Sequence, residues 1–201
     1  MFLAFVHRCS RSQLWTTGLV LFQVLVHVVI MRLVSAIVER EARTVTRTID
    51  FWIPDGSFGY APEDLHHLYK QYGPVARLNY VWVELFDYFP YIVTYVLLGA
   101  CLVDLALTKS GLRARFGKLV VVPVLMGTMD AIENACNIYT DVTYVEGGMS
   151  QAWIAVAQVG AVVTRAKYVL LAVTMIVIVL AGILAFAKTA IRPSAKATKH
   201  Q

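Results

Sequence analysis

"LVVVPVLMGTMDAIENACNI", residues 119–138, is apolar enough to predict a membrane-spanning helix, yet it contains two carboxylates and two carboxamides. Crossing the hydrocarbon core of a bilayer takes about 20 predominantly apolar residues. Three further blocks of this kind are Leu14–Met31, Val81–Leu107 and Tyr168–Ala187. The pattern predicts an all-α polytopic membrane protein, a four-helix transmembrane bundle that residues 1–201 form as one integral membrane domain.

The composition of the chain favours the same class of protein. Of its 201 residues, 58% are hydrophobic and only 15% are charged, whereas soluble domains carry charge on about a quarter of their residues. The apolar residues also come in blocks instead of being spread at helical period through a mixed sequence. We therefore expect no separate soluble domain.

The net charge of +5 comes from basic residues at the N-terminus, between the second and third blocks, and at the C-terminus. They are Arg8 and Arg11, then Lys109, Arg113, Arg115 and Lys118, and then Lys188, Arg192, Lys196 and Lys199. The loop at residues 140–150 has no Lys or Arg. Because basic loops stay on the cytoplasmic side, we expect both termini on that side or its equivalent. The lipid bilayer is the expected partner, and nucleic acid is not.

A short amphipathic helix is predicted at residues 62–72, between the first and second blocks. Pro62 suits the first turn of a helix, and Gly73 with Pro74 favours its end. One face of the helix is apolar and carries Leu65, Leu68, Tyr69 and Tyr72. We expect this helix to lie along the outer surface of the membrane.

The polar residues within 119–138 share one helical face. They are Asp130, Glu133, Asn134 and Asn137, spaced i, i+3, i+4 and i+7. A second stripe runs into the second block through Arg77, Tyr80, Glu84, Asp87, Tyr91 and Tyr95. In the predicted topology both stripes reach the outer half of the membrane, where Arg165 and Lys167 precede the fourth block.

Carboxylates at this depth need partners, because each costs roughly 2.5–3.5 kcal/mol at the centre of a membrane helix. We expect Arg77 or Arg165 to pair with them. The predicted intramembrane polar site comprises Arg77, Tyr80, Glu84, Asp87, Asp130, Glu133, Asn134, Asn137 and Arg165. Ionisable residues inside a membrane suggest a functional site, and the alternative is a network that only holds the helices together.

The sequence predicts no metal site and indicates no cofactor. Its cysteines, Cys9, Cys101 and Cys136, form no CxxC motif and have no metal-ligand spacing. His27, in the first block, is expected to make an interhelical hydrogen bond in preference to relaying protons. Catalytic residues stay unassigned.

Four motifs in the middle of the chain resemble a group of uncharacterised four-span membrane proteins, best represented in bacteria. That group has the patterns F-G-Y-[ST]-P-E-E, G-R-x-x-Y, D-x-x-F-P-x-x-Y and D-x-x-E-N. The matching residues are Phe58–Asp64, Arg77 with Tyr80, Asp87 with Phe89 and Pro90, and Asp130 with Glu133 and Asn134. Here Gly73 and Arg77 are not adjacent, Asp87 stands one residue closer to Phe89, and Val93 replaces a tyrosine. The resemblance implies the fold and the site, but no chemistry.

The leading hypothesis is a small non-enzymatic integral membrane protein whose polar network binds a ligand, an ion or a lipid headgroup. An intramembrane enzyme is the alternative, with Asp87 and either Asp130 or Glu133 as an acid/base pair. Against it, the sequence has no Gly-x-Ser-x-Gly motif and no phosphate-binding glycine loop. A subunit of a larger membrane complex is the third hypothesis. Four spans are few for a transporter, so transport would require a homo-oligomer.

Overall fold

The computed structural model describes residues 1–46 and 51–191, and every regular element in these ranges is helical. The α-helices are α1 (Phe2–Ser10), α2 (Gln13–Leu25), α3 (Arg32–Val45), α4 (Pro62–Phe86), α5 (Val93–Ser110), α6 (Arg113–Phe116), α7 (Val122–Val142) and α8 (Gln151–Ile191). Two π-helical stretches, Val26–Met31 and Asp87–Ile92, and two 3₁₀ turns, Pro54–Gly56 and Gly117–Val121, lie between them. The basic residues Arg192, Lys196 and Lys199 lie outside the described ranges.

Within the described ranges, three helical segments are long and apolar enough to cross a membrane. They are Pro62–Ser110, Arg113–Val142 and Gln151–Ala190, and they contain the predicted blocks Val81–Leu107, Leu119–Ile138 and Tyr168–Ala187. The block predicted at Leu14–Met31 corresponds to a shorter apolar helix, Gln13–Val28. Three candidate spans are therefore present, and the fourth stays a prediction.

Two apolar cores hold the helices together. The outer core joins α3, α4 and the first part of α8 through Val38, Ala42, Leu65, Tyr69, Tyr72, Trp153 and Ala157. The inner core joins α1, α5 and the last part of α8 through Val6, Cys9, Cys101, Leu107 and Ala181. Along α8, and along the path from α4 to α5, the polar residues of the predicted site come between these two cores. The fold therefore sets the site at the junction of two packed layers.

The helix predicted at residues 62–72 forms, and its apolar face packs against protein. It is the first part of α4, which continues past a local break at Gly73, where φ is 70°. Such a positive φ is readily adopted by glycine. The apolar face, formed by Leu65, Leu68, Tyr69 and Tyr72, is 0–1% exposed in the outer core. Because α3 and α8 cover this face, it does not contact lipid as expected, and the position of the helix relative to the membrane stays a prediction.

The outward faces of the long helices are apolar. On α8 the exposed side chains include Val169, Ile176, Val179, Leu180, Ile183 and Phe186. Three other exposed apolar residues are sequence neighbours of the predicted polar site. Leu85 follows Glu84, Phe86 precedes Asp87, and Ile132 precedes Glu133. Continuous apolar surface of this extent is rare on soluble monomers.

Asp104 joins α1 to α5 beside the inner core. Its carboxylate accepts a hydrogen bond from the Ser10 hydroxyl at 2.6 Å and lies 2.8 Å from His7 Nδ1 and 2.7 Å from Arg113 Nε. Lys188, near the end of α8, donates a hydrogen bond to a backbone carbonyl at the C-terminal end of α5. His7 and Lys188 therefore lie at the same end of the structure.

Candidate functional site

Asn137 on α7 joins the two halves of the polar network. Its Nδ2 lies 3.0 Å from Asp55 Oδ1 and 3.2 Å from Glu84 Oε1, and 3.3 Å from the Tyr80 hydroxyl. Its Oδ1 accepts a hydrogen bond from the Tyr60 hydroxyl at 3.0 Å. A carboxamide has two N–H groups, so three oxygens share two donors. The side chain of Asn137 thereby bridges two carboxylates that would otherwise repel each other.

Lys167 on α8 supplies the positive charge of the network. Its Nζ lies 2.8 Å from Asp130 Oδ1 and 2.5 Å from Glu133 Oε2. The Tyr95 hydroxyl donates to Asp130 Oδ2 at 2.5 Å, and the Thr164 hydroxyl donates to Glu133 Oε1 at 2.6 Å. Both oxygens of Asp130 therefore have hydrogen-bond partners, whereas Glu133 Oε2 lies close to the Lys167 ammonium without forming a hydrogen bond to it.

The part of the network around Asp87 has more acceptors than donors. Asn134 Nδ2 donates to Asp87 Oδ2 at 2.6 Å. In the described part of the chain, Asp87 Oδ1, Glu84 Oε2 and Asn134 Oδ1 are buried and find no hydrogen-bond partner. Buried polar atoms are nearly always partnered in native proteins. Of the three residues, Asp87 also lines a groove beside the network, so its Oδ1 is suited to accept a hydrogen bond from a bound donor.

The structure brings most of the predicted site together and leaves both arginines out. The residues in contact within the network are Tyr80, Glu84, Asp87, Asp130, Glu133, Asn134 and Asn137. Arg77 Nε lies 3.4 Å from Asp141 Oδ1 instead, and its guanidinium lies over the ring of Tyr144. Arg165 is exposed and pairs with none of the carboxylates that the structure describes. The expected cation of the cluster is thus corrected to Lys167.

Depth along the helix explains the position of Arg77. It precedes Glu84 by two helical turns, or about 10 Å along the axis, so it reaches Asp141, near the C-terminal end of α7, instead of the carboxylates of the network.

The sequence of α8 contains a signal for Lys167, because Gly160, Thr164 and Lys167 are spaced i, i+4 and i+7. This stripe identifies the face of α8 that meets α7, and it could have indicated Lys167.

Asp55 and Tyr60 were missed because they lie in the connection between α3 and α4. Pro54-Asp55-Gly56 is a typical turn sequence, in which aspartate usually bonds to its own backbone and faces water. In the structure Asp55 is only partly exposed. Desolvation raises the pKa of its carboxyl above the ordinary value, the Lys167 ammonium opposes this shift, and the Asp130 carboxylate adds to it. Asp55 therefore holds a proton more tightly than an exposed aspartate.

A groove of about 730 Å³ opens beside the network. Its charged lining includes Asp55, Asp87, Asp130 and Lys167, with Arg32 and Glu39 on α3. Its apolar lining runs along α5 and α8 through Leu98, Leu102, Leu171, Met175 and Ile178. From Lys167 to Ile178, α8 advances about 16 Å. The groove is therefore polar where it meets the network and apolar along the rest of its length.

The wall opposite α8 comes from the junction of α2 and α3. There His27 Nδ1 lies 3.1 Å from the hydroxyl of Tyr91, and the two rings stack with centroids 5.9 Å apart. The Thr94 hydroxyl donates to Gln23 Oε1 at 2.7 Å. The interhelical hydrogen bond predicted for His27 is present. These contacts hold α2 and the π-helical stretch that follows it against the start of α5. The groove lies between α8 and the segment that contains His27 and the first part of α3.

Within residues 1–46 and 51–191, no group of three or more His, Cys, Asp or Glu side chains is arranged to hold a metal ion. The cysteines are unpaired and buried. No family model, curated protein or solved structure matches this chain. The resemblance to four-span proteins therefore stays a prediction, and the geometry of the site is the basis for its function.

Proposed function

We propose that this chain is a multi-pass membrane protein that takes an amphiphilic molecule from the bilayer into the groove and holds its head group at the polar network. The observation that carries this proposal is the composition of the groove. Asp55, Asp87 and Lys167 line it beside the network, whereas leucine, methionine and isoleucine side chains predominate along α5 and α8. Ligand sites typically combine a largely apolar lining with a few polar groups that fix orientation.

The exposed apolar surface supports a location within the membrane. Leu85 and Ile132 face outward beside network residues, and Val169 does so two residues after Lys167. The helix from Gln13 to Met31 advances about 28 Å, close to the ~30 Å of a hydrocarbon core. This length supports an additional membrane span at the first predicted block, Leu14–Met31. The shared position of His7 and Lys188, together with the nearby basic residues, supports cytoplasmic termini.

Entry from the bilayer is supported by residues that belong both to the groove and to the outer surface. Leu171 and Met175 line the groove and are 38% and 51% exposed, respectively. An opening at this position faces the side of the helices and not their ends. A membrane lipid or another amphiphile would then enter with its chain already in an apolar environment.

Binding fits the geometry better than acid/base catalysis. The alternative pairs Asp87 with Asp130 or Glu133. Glu133 does not line the groove, and Asp130, which does, has its two oxygens in contact with Lys167 and Tyr95. A general base needs a free lone pair within reach of its substrate. Asp87 has an unpartnered oxygen and lines the groove, whereas Glu133 lies outside it and Asp130 already contacts two donors.

Native mass spectrometry of the purified protein, followed by solvent extraction, tests the proposal. Wild-type protein should carry a bound amphiphile that survives removal of detergent. The Met175→Trp variant should lose it, because the indole fills the groove. Ile176→Trp is the matched control, since Ile176 is similarly exposed but does not line the groove. Equal occupancy in both variants would contradict the proposal.

A further inference from the structure

We infer that the head group held at this site is a primary amine in its cationic form, and that Asp87 is the residue that binds it. The inference rests on the proposed function, because it names the class of amphiphile that the groove accepts.

Asp87 is fixed in position and has one oxygen to spare. It is 2% exposed, and it lines the groove. Its Oδ2 accepts the hydrogen bond from Asn134, whereas its Oδ1 has no partner in the described part of the chain. A buried carboxylate oxygen without a donor is costly, so a donor that enters from the groove gains a strong hydrogen bond there.

The charge of the network favours a cation over an anion. Its carboxylates are those of Asp55, Glu84, Asp87, Asp130 and Glu133. Lys167 is the one ammonium in contact with them among the described residues, and Asp130 and Glu133 already share it. The remaining carboxylates accept hydrogen bonds from Asn134 and Asn137, and no cation of the described residues is in contact with them. A positive head group therefore compensates charge that an anionic one would increase.

The unpartnered acceptor at Asp87 favours a primary amine over a quaternary one. A primary ammonium has N–H donors, and Asp87, which lines the groove, has a buried oxygen, Oδ1, without a partner in the residues that the structure describes. A trimethylammonium group has the same charge and no donor, and a hydroxyl has one donor and no charge. The site therefore distinguishes amphiphiles of equal chain length by their head groups.

The test is displacement of an environment-sensitive fluorescent amphiphile from protein in a neutral maltoside detergent at pH 7. The competitors are dodecylamine, dodecyltrimethylammonium, dodecanol and dodecanoate. Dodecylamine should displace the probe at a concentration about tenfold lower than the others, because none of them can donate a charge-assisted hydrogen bond from a cation to Asp87 Oδ1. Dodecanoate should be the weakest competitor.

Asp87→Asn should reduce dodecylamine to the potency of dodecanol. This variant is expected to fold, because an asparagine there keeps the acceptor for Asn134 and adds an N–H donor among the free oxygens. Asp104→Asn is the matched control, as Asp104 is also buried but lies away from the groove. It should keep the preference for dodecylamine. A thermal unfolding curve of each variant confirms that folded proteins are compared.

The outcomes separate the inference from the function on which it rests. If all four competitors displace the probe equally and Met175→Trp abolishes their binding, the groove binds amphiphiles and the amine inference is overturned. Equal potency of the primary and quaternary amines would overturn the role of hydrogen bonding. If wild-type protein and Met175→Trp both fail to bind the probe, the proposed function itself is wrong.

Discussion

Lys167 Nζ lies 2.8 Å from Asp130 Oδ1, and this ion pair joins α8 to α7 beside the groove. The same ammonium contacts Glu133, so one cation serves two carboxylates of a single helical face. The ionic contacts of the network are therefore shared and not strictly pairwise, so removing one group affects more than one partner.

Lys167→Met should strongly destabilise the protein. Its side chain is only 13% exposed, and methionine leaves Asp130 and Glu133 buried without their cation. Breaking a buried pair by removing one partner costs about 3–5 kcal/mol. Thermal unfolding in detergent measures the loss, with Lys118→Met as an exposed control that should change little. A Lys167→Met variant as stable as wild type would show that the pair adds nothing to stability.

Asp130→Asn and Glu133→Gln should each be mild, and the double variant should lose more than the sum of the two. In either single variant Lys167 keeps one carboxylate, whereas the double variant leaves the ammonium unpaired. Residues in one network commonly couple by about 0.5–3 kcal/mol. A double-mutant cycle on unfolding free energies measures this coupling. Simple additivity would mean that Lys167 does not bind both carboxylates at once.

Asn137→Asp should destabilise the protein by at least about 2 kcal/mol. The substitution removes the N–H donors that serve Asp55 and Glu84 and adds a third carboxyl between them. Asn79→Asp, at a partly exposed position of α4, controls for the added charge. The loss should grow as pH rises and the new carboxyl ionises. Similar stability of the two variants would contradict the central place of Asn137 in the network.

Asp55→Asn should raise the melting temperature at pH 8 and leave it nearly unchanged near pH 4. The pKa of Asp55 is raised in the folded protein, so the folded state binds the proton more tightly than the unfolded state. Stability therefore falls as pH rises from the ordinary aspartate pKa of about 3.9 through the raised value. Asparagine removes this cost. Asp64→Asn, at an exposed position, should shift neither melting temperature.

The polar face of α7 could be predicted from sequence because it depends on one helix alone. The i, i+3, i+4, i+7 spacing puts Asp130, Glu133, Asn134 and Asn137 on one side, and all four are 5% exposed or less. Their partners could not be predicted in the same way. Whether Lys167 or Arg165 meets α7 depends on the rotation of α8, and two residues change that direction by about 200°.

The surroundings of α4 show a second limit of the sequence. An apolar stripe at Leu65, Leu68, Tyr69 and Tyr72 has the same pattern whether it meets lipid or protein. In the structure it meets Val38 and Trp153 of distant segments. The connection that contains Asp55 presents the same difficulty, because a turn sequence does not show which distant residues its side chains will contact. Long-range packing decided both cases.

Photo-crosslinking in membranes shows whether an amphiphilic amine occupies the groove. An alkyl-diazirine amine of dodecyl chain length is added to membranes that contain the protein, and labelled peptides are identified by mass spectrometry. We expect labels at Leu98 and Leu102 of α5 and at Leu171 and Met175 of α8, with excess dodecylamine removing them and Asp87→Asn weakening them. Labels confined to outward-facing residues such as Val179, Ile183 and Phe186, and unaffected by dodecylamine, would contradict this expectation.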